Sequence, residues 1–365
     1  MAGSVFGKQF VVSTWGESHG KGVGVTIDGC PAGLPLTEDV IQPYLNRRKP
    51  GQTRYSTPRK EEDLVEILSG VFEGKTTGTP VSMVVYNTSQ RSKDYSEIMN
   101  VYRPGHADYT FDEKYGFRDY RGGGRSSGRE TISRVAAGAV AVELLKQLGI
   151  SVQAYAKKIG GIEAVKIRPE DIMKSPLYMP DLEASERAEI MLEEKMKQHD
   201  SVGGVIECVV KGMPVGVGEP VFDKLDASLA KAVMSIGAVK GVEIGDGFCA
   251  ADSFGAENND AFRMDENGNV IKETNHAGGV LGGLSDGTDI ILRAAVKPTP
   301  SIARVQHTVN RDGEETDITI HGRHDPIIVP RAVVVVEAMT AITLVDLLFA
   351  SMTARLDRLI DFFGR

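Results

Sequence analysis

The chain has 365 residues, with 42 Lys and Arg against 50 Asp and Glu and a formal net charge of −8, a balance that argues against a nucleic-acid-binding protein, which ordinarily presents a basic domain. Its three cysteines (Cys30, Cys208, Cys249) lie far apart with no C-x-x-C spacing, which excludes a disulfide framework and a structural zinc and points to a reducing, cytoplasmic setting. Hydrophobic residues make up 41% of the chain and glycine fills 41 positions, enough core for one large domain or two, with many tight turns or close backbone–ligand approaches. The N-terminus, MAGSVFGKQF, lacks the basic stretch and apolar run of a secretory signal.

Residues 1–30 read as strand, loop, strand: Phe10-Val11-Val12 leads into Trp15-Gly16-Glu17-Ser18-His19-Gly20, after which Val23, Val25 and Ile27 alternate toward Asp28-Gly29. A Ser–His nucleophile pair is conceivable there, but adjacent side chains rarely face one another and there is no G-x-S-x-G elbow. His19 reads instead as a general acid beside a ligand, or as a structural histidine. Thr37 then caps a helix with Glu38 and Asp39 in its first turn, ending in Arg47-Arg48-Lys49 and followed by Arg54 and Arg59. This arginine cluster on a loop fits a binding site and an ordinary basic surface equally. Val65–Leu68 and Val81–Tyr86 form strand–turn–strand, and Tyr102-Arg103-Pro104-Gly105-His106-Ala107-Asp108 puts a second histidine in a Pro-Gly turn. With no H-E-x-x-H and no third ligand at helical spacing, His106 is not a metal ligand; it is a site residue or a turn histidine bonded to backbone.

The segment from Tyr120 to Gly149 organises the rest. Gly122, Gly123 and Gly124 precede Ser127 and Glu130, which have the S-x-x-E spacing of a capping box. Small and branched apolar residues follow from Ile132 to Val142, and Gly149 closes the helix. A helix this small-sided is expected to pack on more than one face. Arg125 and Arg129 in its first turn, Arg134 behind them and Arg118 and Arg121 upstream converge on bare N–H groups and the positive end of a helix dipole, which makes an anion-binding site. The other reading is a glycine-rich turn with a solvated basic face. No lysine lies between Lys114 and Lys146, so this is not a P-loop, and Ser127 stands where the last glycine of G-x-G-x-x-G belongs.

Beyond Gly149 the sequence predicts a strand over 151–159 and a charged surface helix over 182–199. Gly203-Gly204-Val205-Ile206-Glu207, then Gly212-Met213-Pro214 and a helix through Leu229 and Val233, echo Gly22–Pro35 and its helix. Two related halves within a single pseudo-symmetric domain, 1–365, are therefore expected, since no linker or low-complexity tract divides the chain. The last third carries Ser235 to Gly241, Asn275-His276-Ala277-Gly278-Gly279-Val280-Leu281-Gly282-Gly283, strand-like Ile290–Leu292, Lys297-Pro298-Thr299-Pro300-Ser301 and Gly322-Arg323-His324-Asp325-Pro326. Glycine pairs beside strands let a flat ring lie on backbone, and Lys297, Thr299 and Ser301 could hold phosphate oxygens, which suggests a phosphorylated planar cofactor. The apolar run 332–350 contains Glu337 and Asp346. An acid at mid-membrane costs about 2.5–3.5 kcal/mol, so a buried or interface helix is expected there.

In this order the motifs GESHGKGVGVTIDGCP, RPGHADYT, YRGGGRSSGRET, AVKGVEIGDGF, NHAGGVLGG, KPTPS and GRHDP resemble those of the chorismate synthase family, over essentially the whole chain. Departures are small: Ile327 follows GRHDP where a small residue is common, and Gly237 sits where the family's loop varies. The resemblance implies an anti-1,4-elimination of the shikimate pathway, in which 5-enolpyruvylshikimate 3-phosphate loses phosphate and a C6 proton to give chorismate. It implies reduced FMN as cofactor without net oxidation, an electron being lent and recovered. The implied fold is of α/β (α+β) class, a β-α-β sandwich whose antiparallel sheets enclose a helical layer, assembled as a homotetramer. By the resemblance His19 would protonate the departing phosphate, His106 would manage the proton near flavin N1, and Asp325 would assist C6 proton removal through flavin N5. Arg48, Arg125, Arg129, Arg134 and Arg323 would bind a substrate whose two carboxylates and phosphate need several bidentate donors. FMN would lie against Arg125, Ser126, Ser127, Gly237, Ala238, Gly282, Lys297, Pro298, Thr299, Pro300, Ser301 and Arg323, while Arg48 and Arg54 would take the NADP(H) phosphate. NADPH or another external reductant would keep the flavin reduced, as no additional flavin-reductase domain is evident.

Three rival readings compete. A non-catalytic flavin- or nucleotide-binding regulatory module explains the glycines and KPTPS but leaves His19, His106 and Asp325 idle. RNA binding through the arginine loops runs against the net charge of −8, and a kinase-type phosphotransferase lacks its lysine. No nucleic-acid or membrane partner is expected.

Overall fold

Alternate residues of a strand share a face, and Val23, Val25 and Ile27 turn theirs fully into the interior. Their strand is the centre of the first sheet. In the computed structural model, which describes residues 3–56, 61–88, 99–121, 123–320 and 325–364, β1 (Val5–Phe6), β2 (Val11–Gly16), β3 (Gly22–Asp28), β4 (Val65–Ser69) and β7 (Val81–Tyr86) pair in the order β1-β2-β3-β7-β4, all antiparallel. A hairpin, β5 (Val71–Phe72) and β6 (Lys75–Thr76), intervenes between β4 and β7. A second antiparallel sheet, in the order β11-β16-β10-β8-β9, comprises β8 (Ser151–Ile159), β9 (Ile162–Glu163), β10 (Gly204–Lys211), β11 (Val239–Ile244) and β16 (Ile290–Val296). Three more hairpins decorate it: β12 (Phe262–Met264) with β13 (Val270–Lys272), β14 (Val280–Leu281) with β15 (Leu284–Ser285), and β17 (Val305–Val309) with β18 (Glu315–Thr319).

The weak echo in the sequence has a topological counterpart. β3 and β10 each occupy the third place of a five-stranded sheet, and their following helices are α1 (Glu38–Arg48) and α5 (Leu225–Met234). Between the sheets α3 (Thr131–Gln147) and α7 (Val329–Ser351) pack on each other, with α3 also against β3 and α7 against β8 and β10. The remaining helices are α2 (Asp108–Tyr115), α4 (Leu182–Lys197), the single turn α6 (Gly255–Asn258) and α8 (Leu356–Phe363). One core runs through both sheets and the helical layer. This is the expected sandwich of antiparallel sheets around helices.

α3 is buried on nearly every side, as its small residues predict, and at Gly138 a Cβ would stand 2.2 Å from the Cβ of Ala338 on α7. Its end is a Schellman motif: Gly149 takes φ +73, Gly149 N–H donates to Lys146 O (3.1 Å) and Ile150 N–H to Leu145 O (3.0 Å). α7 is the apolar run and is largely buried. Its two acids have local explanations. Glu337 accepts both Nη groups of Arg47 at 3.0 and 2.7 Å, and Asp346 accepts the backbone N–H groups of Lys8, Gln9 and Phe10 at 2.7, 2.6 and 2.9 Å. One expected cap is different in kind: Thr37 precedes α1 without a side-chain capping bond, and Glu38 instead accepts from Ile67 N–H at 3.1 Å.

Candidate active site

Gly123 and Gly124 take φ +80 and +52, a region that costs glycine nothing. They turn the chain into two 3-10 turns, Gly124–Ser126 and Gly128–Glu130, before α3 begins at Thr131. Those turns halve the expected capping box. Ser127 Oγ accepts from Arg129 N–H (3.3 Å), but Glu130 pairs with Arg134 at 3.0 Å, four residues on, rather than reaching back. Ser126 Oγ donates to Gly123 O at 2.6 Å. Arg125 crosses to the first sheet, donating to Gly16 O (3.1 Å), Thr14 O (3.3 Å) and Thr14 Oγ1 (2.6 Å). Arg134 donates to Ser235 Oγ at 2.6 Å. A cavity of about 920 Å³ opens between them. Arg118, Arg125, Arg134, Lys231 and Ser235, with the acidic Glu17, Asp119 and Glu130, form its polar wall, and Val12, Met339 and Ile342 are among its apolar lining.

The turn after Ser235 joins this cavity to the second histidine. Lys297 N–H donates to Ala238 O (2.9 Å), and Lys297 Nζ donates to Gly105 O (2.8 Å). A Cβ on Gly105, at φ +70, would lie 2.7 Å from Pro300 Cβ. His106 Nδ1 lies 3.0 Å from Pro104 O and Nε2 lies 2.8 Å from Ser301 Oγ. A carbonyl only accepts, so Nδ1 carries a proton, and Nε2 shares its hydrogen bond with the serine hydroxyl, accepting when the ring is neutral and donating when it is charged. Arg103 braces the turn through both its own N–H and its guanidinium on Asp108. Burial works against the Asp108 charge, but these bonds and Arg103 with Arg118 hold its carboxyl below the ordinary range. Thr299 Oγ1 is buried with no hydrogen-bond partner among the described residues, the condition of a hydroxyl that a ligand oxygen would satisfy. Gly237, Ala238 and Lys297–Ser301 thus gather with His106. Gly282 does not. It sits in the turn of the β14–β15 hairpin, just before which Gly279 packs on Ile290 at the start of β16, while Lys297 follows the far end of that strand, whose seven residues span about 23 Å at roughly 3.3 Å per residue.

The other arginines have different surroundings from those expected. Arg48 ends α1, where the sequence puts it, but it is buried rather than on a basic surface, only 3% exposed. Its guanidinium donates to Thr131 Oγ1 (3.1 Å), Asp63 Oδ2 (3.0 Å) and Gly128 O (2.9 Å), making it a strut between α1 and the entrance of α3. Burial, with the neighbouring Arg331 charge, pulls its pKa down to about 10 against the opposing pull of Asp63, so it stays cationic at neutral pH. Arg129 donates to the other oxygen of Asp63 (3.0 Å), pairs with Glu61 and donates to Asn87 Oδ1. Arg54 stands at the surface, bonded to Tyr55 OH (2.8 Å) and Glu193 (2.7 Å), so its head group is not beside that of Arg48. Asp325 is ion-paired to Arg331, whose Nε donates to Arg48 O at 3.0 Å. His19 sits in the Glu17–Gly20 turn within electrostatic reach of Asp119, a wall residue whose carboxyl is held low mainly by Arg121. Arg323, like Arg59 and Gly122, lies outside the described residues.

Asp63, Asn87 and Arg331 complete this polar array without a sequence motif to announce them. The one signal was the acidic run Glu61-Glu62-Asp63 after the arginine cluster.

Comparison with known proteins covers the whole chain. The family model described as chorismate synthase matches residues 10–349. The chain is 67% identical over 359 residues to the chorismate synthase of Lachnoclostridium phytofermentans, covering 98% of each chain, and 67% identical over 368 residues to that of Lachnospira eligens, covering 100% of each. A solved crystal structure of chorismate synthase superposes with a TM-score of 0.76 at 32% identity, covering 98% of both chains. With the sandwich fold and the gathered motifs, these matches make the molecule a lyase of the shikimate pathway: the chain belongs to the chorismate synthase family.

Proposed function

We propose that the elimination is run by the Glu17–Gly20 turn, the entrance of α3, the His106 turn and the 297–301 loop acting as one site. The observation that carries this is the 2.8 Å contact of His106 Nε2 with Ser301 Oγ, which joins two motifs 195 residues apart. The substrate, 5-enolpyruvylshikimate 3-phosphate, brings a phosphate and two carboxylates, and it must shed phosphate and a C6 proton. Arg125 and Arg134 on the cavity wall, with Arg129 behind them and Arg323, would bind its anionic groups through bidentate forks. His19 would give a proton to the departing phosphate. His106, its Nδ1 proton pinned on Pro104 O, would accept or return a proton at Nε2, and Asp325 would assist removal of the C6 proton.

The residues fit reduced FMN. The cavity has an apolar wall for a ring and arginines for a phosphate, and the buried Thr299 hydroxyl in the 297–301 loop lacks a partner among the described residues. When bound, reduced FMN would supply an electron transiently and recover it. Arg125, Ser126, Ser127, Gly237, Ala238, Lys297–Ser301 and Arg323 would hold it. Gly282, a strand's length away, would reach such a ligand from a neighbouring subunit of a homotetramer. Arg54, at the surface and paired with Glu193, would take an NADP(H) phosphate, and Arg48, pinned by Asp63, would support rather than touch it. The wider reading is a cytoplasmic enzyme of one domain spanning 1–365 whose flavin is kept reduced by an external reductant.

The test is anaerobic mixing of the protein with photoreduced FMN and 5-enolpyruvylshikimate 3-phosphate, with phosphate release and the flavin spectrum followed together. Phosphate released with the flavin reduced at the end is expected; flavin binding without release would favour a regulatory module. In the same assay His106→Ala should keep both ligands bound and lose about 10²–10⁴ in rate, the span of a general acid or base. An unchanged turnover number would remove His106 from the chemistry.

A further inference from the structure

Between the turn that carries His19 and the arginines at the entrance of α3 stands Asn87, the first residue beyond β7. Its side chain makes three hydrogen bonds and uses both of its donors. Nδ2 donates to Glu17 O (2.9 Å) and Gly20 O (2.8 Å), and Oδ1 accepts from Arg129 Nε. Its backbone N–H donates to Lys21 O at 3.0 Å. Two carbonyls on one side and a guanidinium on the other admit only one orientation of the amide. Glu17 and Gly20 are the residues that bracket Ser18-His19, and Gly20 N–H closes the turn on Glu17 O at 3.2 Å. Asn87 therefore grips both ends of the turn on which His19 is carried. On its other side Arg129 is itself fixed by Glu61 and by Asp63, whose side chain is fully buried.

We propose that Asn87 is a positioning residue of the elimination. It ties the His19 turn to the Arg129 guanidinium, so that the proton donor and an anion-holding group keep their spacing while phosphate leaves. The inference rests on the reading of His19 as that donor. A displacement of about 1 Å at a reacting group costs on the order of 10²-fold in rate, and the amide spans the interval across which such a displacement would occur.

Asn87→Asp keeps an acceptor for Arg129 and loses both donors to the turn; Asn87→Ala loses all three bonds. Both variants, as full-length protein with reduced FMN, should release phosphate about tenfold to a hundredfold more slowly at saturating substrate, with KM changed less than threefold. In a His19→Ala background the same substitutions should cost nothing further, because a residue that acts through another is silent once that other is gone. Full activity of Asn87→Asp would overturn the proposal, showing that Asn87 serves only Arg129. So would losses that add to that of His19→Ala, or a loss confined to KM. A His19→Ala variant with the wild-type rate would instead remove His19 from the chemistry, a separate failure visible without any change at Asn87. Should Asn87→Asp not fold, Asn87→Ser, which retains one donor, carries the same cycle.

Discussion

The arginines of the two clusters differ in what they already hold. Arg48, Arg129, Arg134 and Arg54 each bond a carboxylate of the protein, so an incoming anion exchanges one negative partner for another. Arg125 bonds a hydroxyl and carbonyl oxygens instead. For it, a ligand phosphate or carboxylate replaces neutral acceptors with a charged one, and a charge-assisted bond is roughly twice as strong as a neutral one. Among the described arginines of the two clusters, Arg125 should therefore contribute most to ligand affinity. Replacing it with lysine keeps the charge and loses the planar fork, so Arg125→Lys should raise the dissociation constant for substrate or FMN about tenfold or more, measured by anaerobic titration. Arg121→Lys is the control: that residue is exposed and paired with Asp119, and its variant should bind as the parent does. Equal binding by Arg125→Lys would reduce Arg125 to a strap between α3 and the first sheet.

At the scale of elements, α3 shows a local rule and a packing rule in opposition. Glycine within a helix costs about 1 kcal/mol relative to alanine, so Gly138→Ala should stabilise an isolated helix. In the folded chain the added methyl would sit 2.2 Å from Ala338 Cβ and 2.5 Å from its Cα, and a backbone held between two sheets cannot yield cheaply. Overpacking of this kind costs about 1–3 kcal/mol and should win. A lower urea midpoint for Gly138→Ala with unchanged helix content is the expected result; a higher one would show that α3 and α7 have room to part. The same helix marks what was legible in the sequence. Its small residues and Gly149 foretold a buried helix with a left-handed stop, because both are local properties. Its beginning was legible only in part, since the 3-10 turns that divert Glu130 to Arg134 depend on where the glycines carry the chain. Arg48 read as a binding or a surface arginine at a helix end, because nothing local reveals that Asp63, Thr131 and Gly128 O enclose it. Asn87 had no signal, as its three bonds are made to segments 42 to 70 residues away.

For the whole molecule, the same habit of burying charge in pairs sets the response to acid. Lys272 lies in the interior between Asp260 (2.9 Å) and Asp286 (2.7 Å), its ammonium and both carboxylates nearly sealed from solvent. Asp260 also accepts the N–H groups of His276 and Ala277, which fastens the glycine-rich 275–283 loop to the segment leading into β12. Burial pushes each acid upward, but hydrogen bonds from Lys272, Thr274 and Thr288 and from backbone N–H groups outweigh it, and both carboxyls lie below the usual range. Asp108 and Asp181 lie low for comparable reasons, burial opposed by Arg103 in one case and by three backbone N–H groups in the other. The unfolded chain, with carboxyl pKa values near 4, then binds more protons than the folded one below that pH. Stability from these groups is complete above about pH 4 and is lost as pH falls through the lower folded values. Protonation also leaves 42 Lys and Arg without counter-charges, so self-repulsion acts in the same direction. Unfolding free energy from urea titrations should lose little to these carboxylates between pH 7 and 5 and fall steeply below 4. Asp260→Asn should be less stable at pH 7, and the gap should narrow as pH falls below about 4, because the unfolded parent then takes up the proton that the folded Asp260, held low beside Lys272, resists, whereas the variant's amide never titrates. A constant gap between the two proteins across that range would mean that the Asp260 charge contributes nothing and that its bonds to the 275–283 loop act by geometry alone.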